Sequence, residues 1–163
     1  MKKVILYYVL CMIGFTVQSQ EYKKDMFDFW VGDWNLTWTN QDGSVGKATN
    51  SISKILDELV LWENFVAEGQ NGLKGMSYSV YNAQQKSWKQ TWVDNQGSHI
   101  VLNGLMEEGN PVFMTVTTET NTGTQQFRMV FSQITPNSFI WDWQRKTNDG
   151  SWQSSWKINY NRK

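Results

Sequence analysis

The sequence is poor in the residues that carry covalent and metal chemistry. Its 163 residues include one cysteine, Cys11, one histidine, His99, and two prolines. A lone cysteine excludes a disulfide framework. With one histidine beside it, a three-histidine or Cys-rich zinc site is excluded as well. Charge is scarce: 18% of residues are Asp, Glu, Lys or Arg, 15 of each sign. That balance offers nothing to a nucleic acid backbone. With two prolines and 40% hydrophobic residues, the chain is neither a collagen-like rod nor a disordered tail.

What the sequence has in excess is aromatic surface: ten tryptophans, six tyrosines and eight phenylalanines. A chain of this size suits one domain of roughly 100–200 residues. It buries roughly two thirds of its unfolded surface without a staple.

The first 19 residues read as an export signal. Lys2 and Lys3 form a positive start, Val4 to Val17 an apolar run, and Val17-Gln18-Ser19 ends in a small residue suited to cleavage. The run is short for a membrane span of about 20 apolar residues, and polar Gln18 to Glu21 follow at once. Val9-Leu10 before Cys11 lack the small residue of a lipobox. A periplasmic or extracellular protein is therefore expected, with no membrane span in the mature chain. Removing Lys2 and Lys3 takes Lys plus Arg from 15 to 13 against 15 acids, near −2. The cysteine leaves and all ten tryptophans stay.

Residues 20–163 are expected to form the folded domain. Tyr22, Met26 and Phe29 share one face of a short helix over Glu21 to Phe29. Beyond it the period becomes two. Trp34, Leu36 and Trp38 alternate with polar residues, as do Met76, Tyr78 and Val80. Trp88, Gln90 and Trp92 share a face, as do Val112, Met114 and Val116, and Phe127, Met129 and Phe131. So do Phe139, Trp141, Trp143 and Arg145, and Trp152, Trp156, Ile158 and Tyr160. Such alternation marks half-buried antiparallel strands. Asn- and Gly-rich turns separate the runs at hairpin spacing. Between Ile55 and Val60 a helical turn is an option, but Val60 to Ala67 reads as a strand. The spacing predicts an all-β, up-and-down antiparallel barrel of about ten strands, whose closure removes exposed edges. Ser87 to Trp92 echoes Ser151 to Trp156, which we read as two similar strands rather than a repeat.

Phe27-Asp28-Phe29-Trp30-Val31-Gly32-Asp33-Trp34 resembles the opening of calycins, the superfamily of lipocalin-like barrels. The resemblance implies that Trp34 of Gly32-x-Trp34 packs across the barrel floor beneath a late basic residue, Arg145 or Arg162. Gly75-Met76-Ser77-x-x-x-Tyr81, Trp88-x-Gln90-x-Trp92-Val93-Asp94, Asp149-Gly150-x-Trp152 and the Tyr160-x-Arg162 end widen the match. Together they resemble a family of small secreted bacterial proteins of unknown function. The strand count is similar to that of the haem-binding nitrobindin barrels.

Candidate chemistry is sparse. His99 is the one residue able to ligate haem, and a strand-end polar role fits it better. No cofactor, metal site or catalytic residue is expected. Ser98 and His99 are adjacent and point to opposite faces, and no Gly-x-Ser-x-Gly elbow is present. Enzyme activity is not expected, the one alternative being glycan hydrolysis by carboxylates drawn from Glu63, Asp94 and Asp142. Asn35-Leu36-Thr37 matches a glycosylation sequon by accident of a strand sequence.

The aromatics carry the functional reading. Either they fill a core or they line a cavity, since wide barrels enclose ligands. The expected function is non-covalent binding of a small, largely apolar or aromatic molecule by Tyr78, Gln90, Trp92, Trp143 and Arg145. Gln90 and Arg145 would orient it. The alternatives are a carbohydrate-binding module with outward Trp and Tyr, and a structural or partner-binding barrel with a filled core. No nucleic-acid partner is expected, and the protein is read as a monomer or weak dimer.

Overall fold

The computed structural model describes residues 23–69, 72–121 and 123–163. The expected export signal and Ser19 cleavage point lie outside the described residues, as do Glu21 and Tyr22 of the expected helix. From Lys24 the chain forms turns and a single 3-10 segment, Asp28–Trp30, not a helix with a Met26 and Phe29 stripe. Phe27 and Trp30 are the residues it buries.

Twelve strands follow. They are β1 (Gly32–Thr39), β2 (Val45–Ile55), β3 (Val60–Ala67), β4 (Lys74–Asn82), β5 (Ser87–Asp94) and β6 (His99–Glu107). Then come β7 (Asn110–Met114), β8 (Thr118–Thr120), β9 (Gly123–Gln125), β10 (Phe127–Ser132), β11 (Ser138–Lys146) and β12 (Trp152–Arg162). Ten of them close into an antiparallel barrel in the order β1-β12-β11-β10-β7-β6-β5-β4-β3-β2. β8 and β9 form a separate hairpin inserted between β7 and β10. Sequence neighbours pair around the ring, and β1 closes it against both β2 and β12. The up-and-down barrel expected from the alternation is thus observed. Leu56, Asp57 and Glu58 take positive φ (49°, 56° and 63°) and make the β2–β3 connection a tight turn, not a helical one.

One end of the barrel is filled. Phe27 stacks on Phe113 at 4.1 Å and meets Trp88 edge-on at 5.3 Å. Phe131 and Phe139 continue the packing to Trp34 and Tyr160. Each of these rings leaves water almost completely, worth roughly 1.5–3 kcal/mol apiece for a large apolar side chain. Trp34 donates its indole N–H to the Trp30 carbonyl at 2.8 Å, which ties the 3-10 segment to β1. Arg162 lies over the Trp34 ring at 4.1 Å and donates to the carbonyls of Val31 and Pro136. Arg162, not Arg145, is therefore the late basic residue over that tryptophan. Gly32 has φ +134°, and the Arg162 guanidinium occupies the place its Cβ would need.

Three facing assignments are corrected. Met76, Tyr78 and Val80 point outward, and Gly75, Ser77 and Ser79 point inward. The apolar stripe is on the solvent side because the interior here is polar. Similarly, Phe113 joins the inward aromatic cluster, Val112 is fully buried beside it, Met114 is half-buried, and Val116 lies beyond the strand. In β12 a register shift against Trp143 and Gln144 turns Trp152 to the outer face. There Arg128 covers it at 4.2 Å while pairing with Glu107 at 2.6 Å. Trp156, Ile158 and Tyr160 stay inside, so the Ser87/Ser151 echo ends at the bulge.

Arg162→Ala removes a cation–π contact and two hydrogen bonds to carbonyls. Urea denaturation is expected to show a loss of about 1–3 kcal/mol. Arg162→Lys recovers only part, since an ammonium cannot hold both carbonyls from one plane.

Candidate functional site

The end opposite the filled floor is open. There a cavity of about 360 Å³ is walled by Phe65, Trp92, Trp141, Trp143 and Trp156. Alternation places them: Phe65 follows Leu61 and Glu63 on the inner face of β3, and Trp92 follows Trp88 and Gln90 on β5. Trp141 and Trp143 stack in parallel at 6.2 Å, and Phe127 extends the ladder at 5.5 Å. Trp156 stands edge-on to both Phe65 and Trp141. The Trp92 ring lies directly over Gly75, where any Cβ would collide with it. The question of filled core against lined cavity thus divides along the barrel axis.

The cavity base is polar. Glu63 and Tyr160 both line it. Glu63 is 5% exposed and belongs to a chain of inward side chains from five strands. Asn50 Nδ2 donates to Glu63 Oε1 at 2.7 Å and to Tyr160 OH at 3.0 Å. Ser77 Oγ donates to Glu63 Oε2 at 2.6 Å. Gln90 Nε2 donates to Ser77 Oγ at 3.2 Å and Ser79 Oγ at 3.0 Å. The acceptors Asn50 Oδ1 and Gln90 Oε1 are buried without a hydrogen-bond partner. Burial pushes the Glu63 carboxyl up to about 7, against the opposing pull of the Ser77 and Asn50 hydrogen bonds. Burial, reinforced by the Glu63 charge, raises the Tyr160 phenol well above its ordinary value.

At the mouth, Asp94 behaves differently. Partial desolvation works to raise its carboxyl, but hydrogen bonds from Trp92, Ser98 and Gln96 outweigh it and hold Asp94 below the usual range. Trp92 Nε1 donates to Asp94 Oδ2 at 3.0 Å, which fixes the indole at the entrance.

The structure brings together some of the expected ligand-binding residues and separates others. Trp92 and Trp143 stand on the cavity wall. Gln90 is fully buried one layer below and reaches the site through Ser77. Tyr78 is corrected to the outer face, 47% exposed, since β4 turns its serines inward. Arg145 is corrected too. It keeps the parity of Trp143 but lies near the end of β11, exposed beside Thr120, Thr124 and Gln125. His99 pairs opposite Val93 on the outer wall and does not line the cavity, so it offers no axial position inside. Asp142 faces outward and accepts from Ser154 and Gln144, whereas Glu63 and Asp94 share the cavity. Among the described residues no group of three or more His, Cys, Asp or Glu is placed to hold a metal. Among them, too, no helix is long and apolar enough to cross a membrane.

A family model, "Protein of unknown function (DUF1579)", matches residues 10–162. The chain belongs to this family. A comparison with curated proteins gives no match. Among solved structures, the chain is similar to the S-type phycobiliprotein lyase CPES from Guillardia theta, at 14% identity and a TM-score of 0.50. The match covers 85% of this chain and 91% of that one. It bears out the lipocalin-like barrel. That neighbour carries an enzyme's title, which overturns the expectation that a barrel of this build has no enzyme activity.

Sequence reasoning missed Glu63 as the centre of the site, along with Asn50, Ser77 and Tyr160. Three polar residues at inward register on the neighbouring strands β2, β3 and β4, with Tyr160 reaching them from β12, were the available signal.

The folded protein holds the Glu63 proton more tightly than the unfolded chain, where the group titrates near 4.5. Stability is then fully present below about pH 4.5 and falls as pH rises toward 7. A shift of this size amounts to about 3 kcal/mol at about 1.4 kcal/mol per unit. Glu63→Gln is expected to flatten the loss of urea stability between pH 5 and 8.

Proposed function

We propose that this protein binds a small, largely apolar or aromatic molecule outside the cytoplasm. The supporting observation is the open cavity of about 360 Å³ with aromatic walls and a buried polar base. Apolar walls with a few convergent polar groups are the build of a small-molecule site, and the volume lies in the range such sites occupy. The ligand's flat portion lies against Trp92, Trp141 and Trp143, and its polar end meets Glu63 and Tyr160. The compartment is inferred from Lys2-Lys3, the apolar run and Ser19. The neighbouring lyase is named for phycobiliproteins, and its likeness here supports the barrel's shape rather than a particular ligand.

A second reading uses the outer wall. Trp62 and Tyr78 sit opposite each other on β3 and β4, 36% and 47% exposed, as a sugar-stacking platform requires.

Native mass spectrometry of protein from a mild preparation is expected to show a retained small molecule. Titration with a panel of aromatic and lipid-like compounds should change tryptophan emission, since four indoles edge the cavity. Trp143→Ala should weaken binding at least tenfold, and Tyr78→Ala should leave it unchanged. A response to glycans that Trp62→Ala abolishes and Trp143→Ala spares would move the site to the outer wall. Cell fractionation and N-terminal sequencing check export, with a mature start after Ser19 as the expected result.

A further inference from the structure

The cavity has an electrostatic sign. Its lining includes two carboxyls, Glu63 at the base and Asp94 at the mouth, and no Lys, Arg or His among the described residues. A buried carboxylate is ordinarily compensated by a cation or by a proton. Around Glu63 the neighbouring strands present only neutral groups: Asn50 from β2, Ser77 and Ser79 from β4, Gln90 from β5 and Tyr160 from β12. Among the described residues, Tyr160 is the titratable group of this network that faces it. No side chain in this network supplies positive charge, so the counter-charge comes from a proton or from a ligand.

The walls favour the second source. Indole rings are the strongest aromatic partners of cations, and a site that combines several of them with a carboxylate recognises ammonium groups. Trp92, Trp141, Trp143 and Trp156 surround the space above Glu63. Two buried acceptors of the same network, Asn50 Oδ1 and Gln90 Oε1, have no donor. An environment rich in acceptors and π faces and free of cations selects for donors and positive charge, and it repels carboxylates and phosphates.

We infer that the ligand of this cavity is an organic cation, an amine or quaternary ammonium on an aromatic or apolar body. Its charge sits between the tryptophan faces and the Glu63 carboxylate, and Asp94 marks the entrance with a second negative charge. This inference rests on the binding function proposed above and names the ligand's chemical class.

Benzyltrimethylammonium is a suitable probe because its charge does not titrate. Benzyl alcohol and benzoate share its ring and serve as neutral and anionic comparators. Calorimetric titration of the wild-type protein at pH 7.5 is expected to show the cation binding at least tenfold more tightly than either. Its affinity should fall about tenfold per pH unit well below pH 7, as a proton takes the place of the ligand on Glu63. Glu63→Gln should remove both the preference for the cation and that pH dependence. Asp94→Asn should weaken binding less, and Tyr78→Ala should not alter it. If Glu63→Gln fails to fold, the wild-type pH profile alone decides. Equal affinity for benzyl alcohol, preference for benzoate, or cation binding that is constant from pH 5 to 8 would overturn the inference. Where benzyl alcohol binds and the cation does not, the apolar-ligand reading survives without the charge. Where none of the three binds, the cavity reading falls with it.

Discussion

The insertion of Phe27 and Trp30 into one end of the barrel is the contact on which the rest depends. Ten antiparallel strands enclose more space than inward side chains fill by themselves. The turn before β1 supplies the missing volume at one end only. Phe27 stacks on Phe113, Trp30 packs against Phe131, and Trp34 is locked to the Trp30 carbonyl. The floor is therefore dry and dense, and Arg162 seals it from outside. At the other end no segment enters among the described residues, and the same aromatic types become walls instead of core.

Between floor and cavity lies a polar layer, an unusual thing to keep inside a barrel. Asn50, Glu63, Ser77, Ser79, Gln90 and Tyr160 are all buried. Filling this layer with aliphatic side chains would satisfy the fold equally well, since buried polar networks seldom add net stability over packed hydrocarbons. The layer also separates two electrostatic regimes: burial raises the Glu63 carboxyl to about 7, whereas indole and backbone N–H groups hold Asp94 at the entrance below the usual carboxylate range.

The strand pattern was legible because a period of two survives any choice of which face is buried. Strand boundaries such as Val60–Ala67 and the hairpin order follow from it. The sides were harder. In β4 the larger apolar residues, Met76, Tyr78 and Val80, suggested an inward face, but the inner positions belong to Gly75, Ser77 and Ser79. That inversion is invisible to hydrophobicity and is decided by Glu63 and Gln90 on the flanking strands, which need hydroxyl partners. The Trp152 reversal depends on one extra residue in β12, and no local sequence feature announces such a bulge. Trp92 and Trp143 were found because their strands kept strict alternation. Arg145 was misjudged because parity does not say where a barrel wall ends.

Gly75 gives the entrance an adjustable width. Trp92 rests on bare backbone at that point, so the aperture is set by the absence of a single methyl group. Adding one there would tip the indole and its Asp94 anchor inward or outward as a unit. In this chain, position 75 thus bears directly on the width of the entrance, through the Trp92 ring that lies over it. That width can be changed without touching the chemistry at the bottom of the barrel.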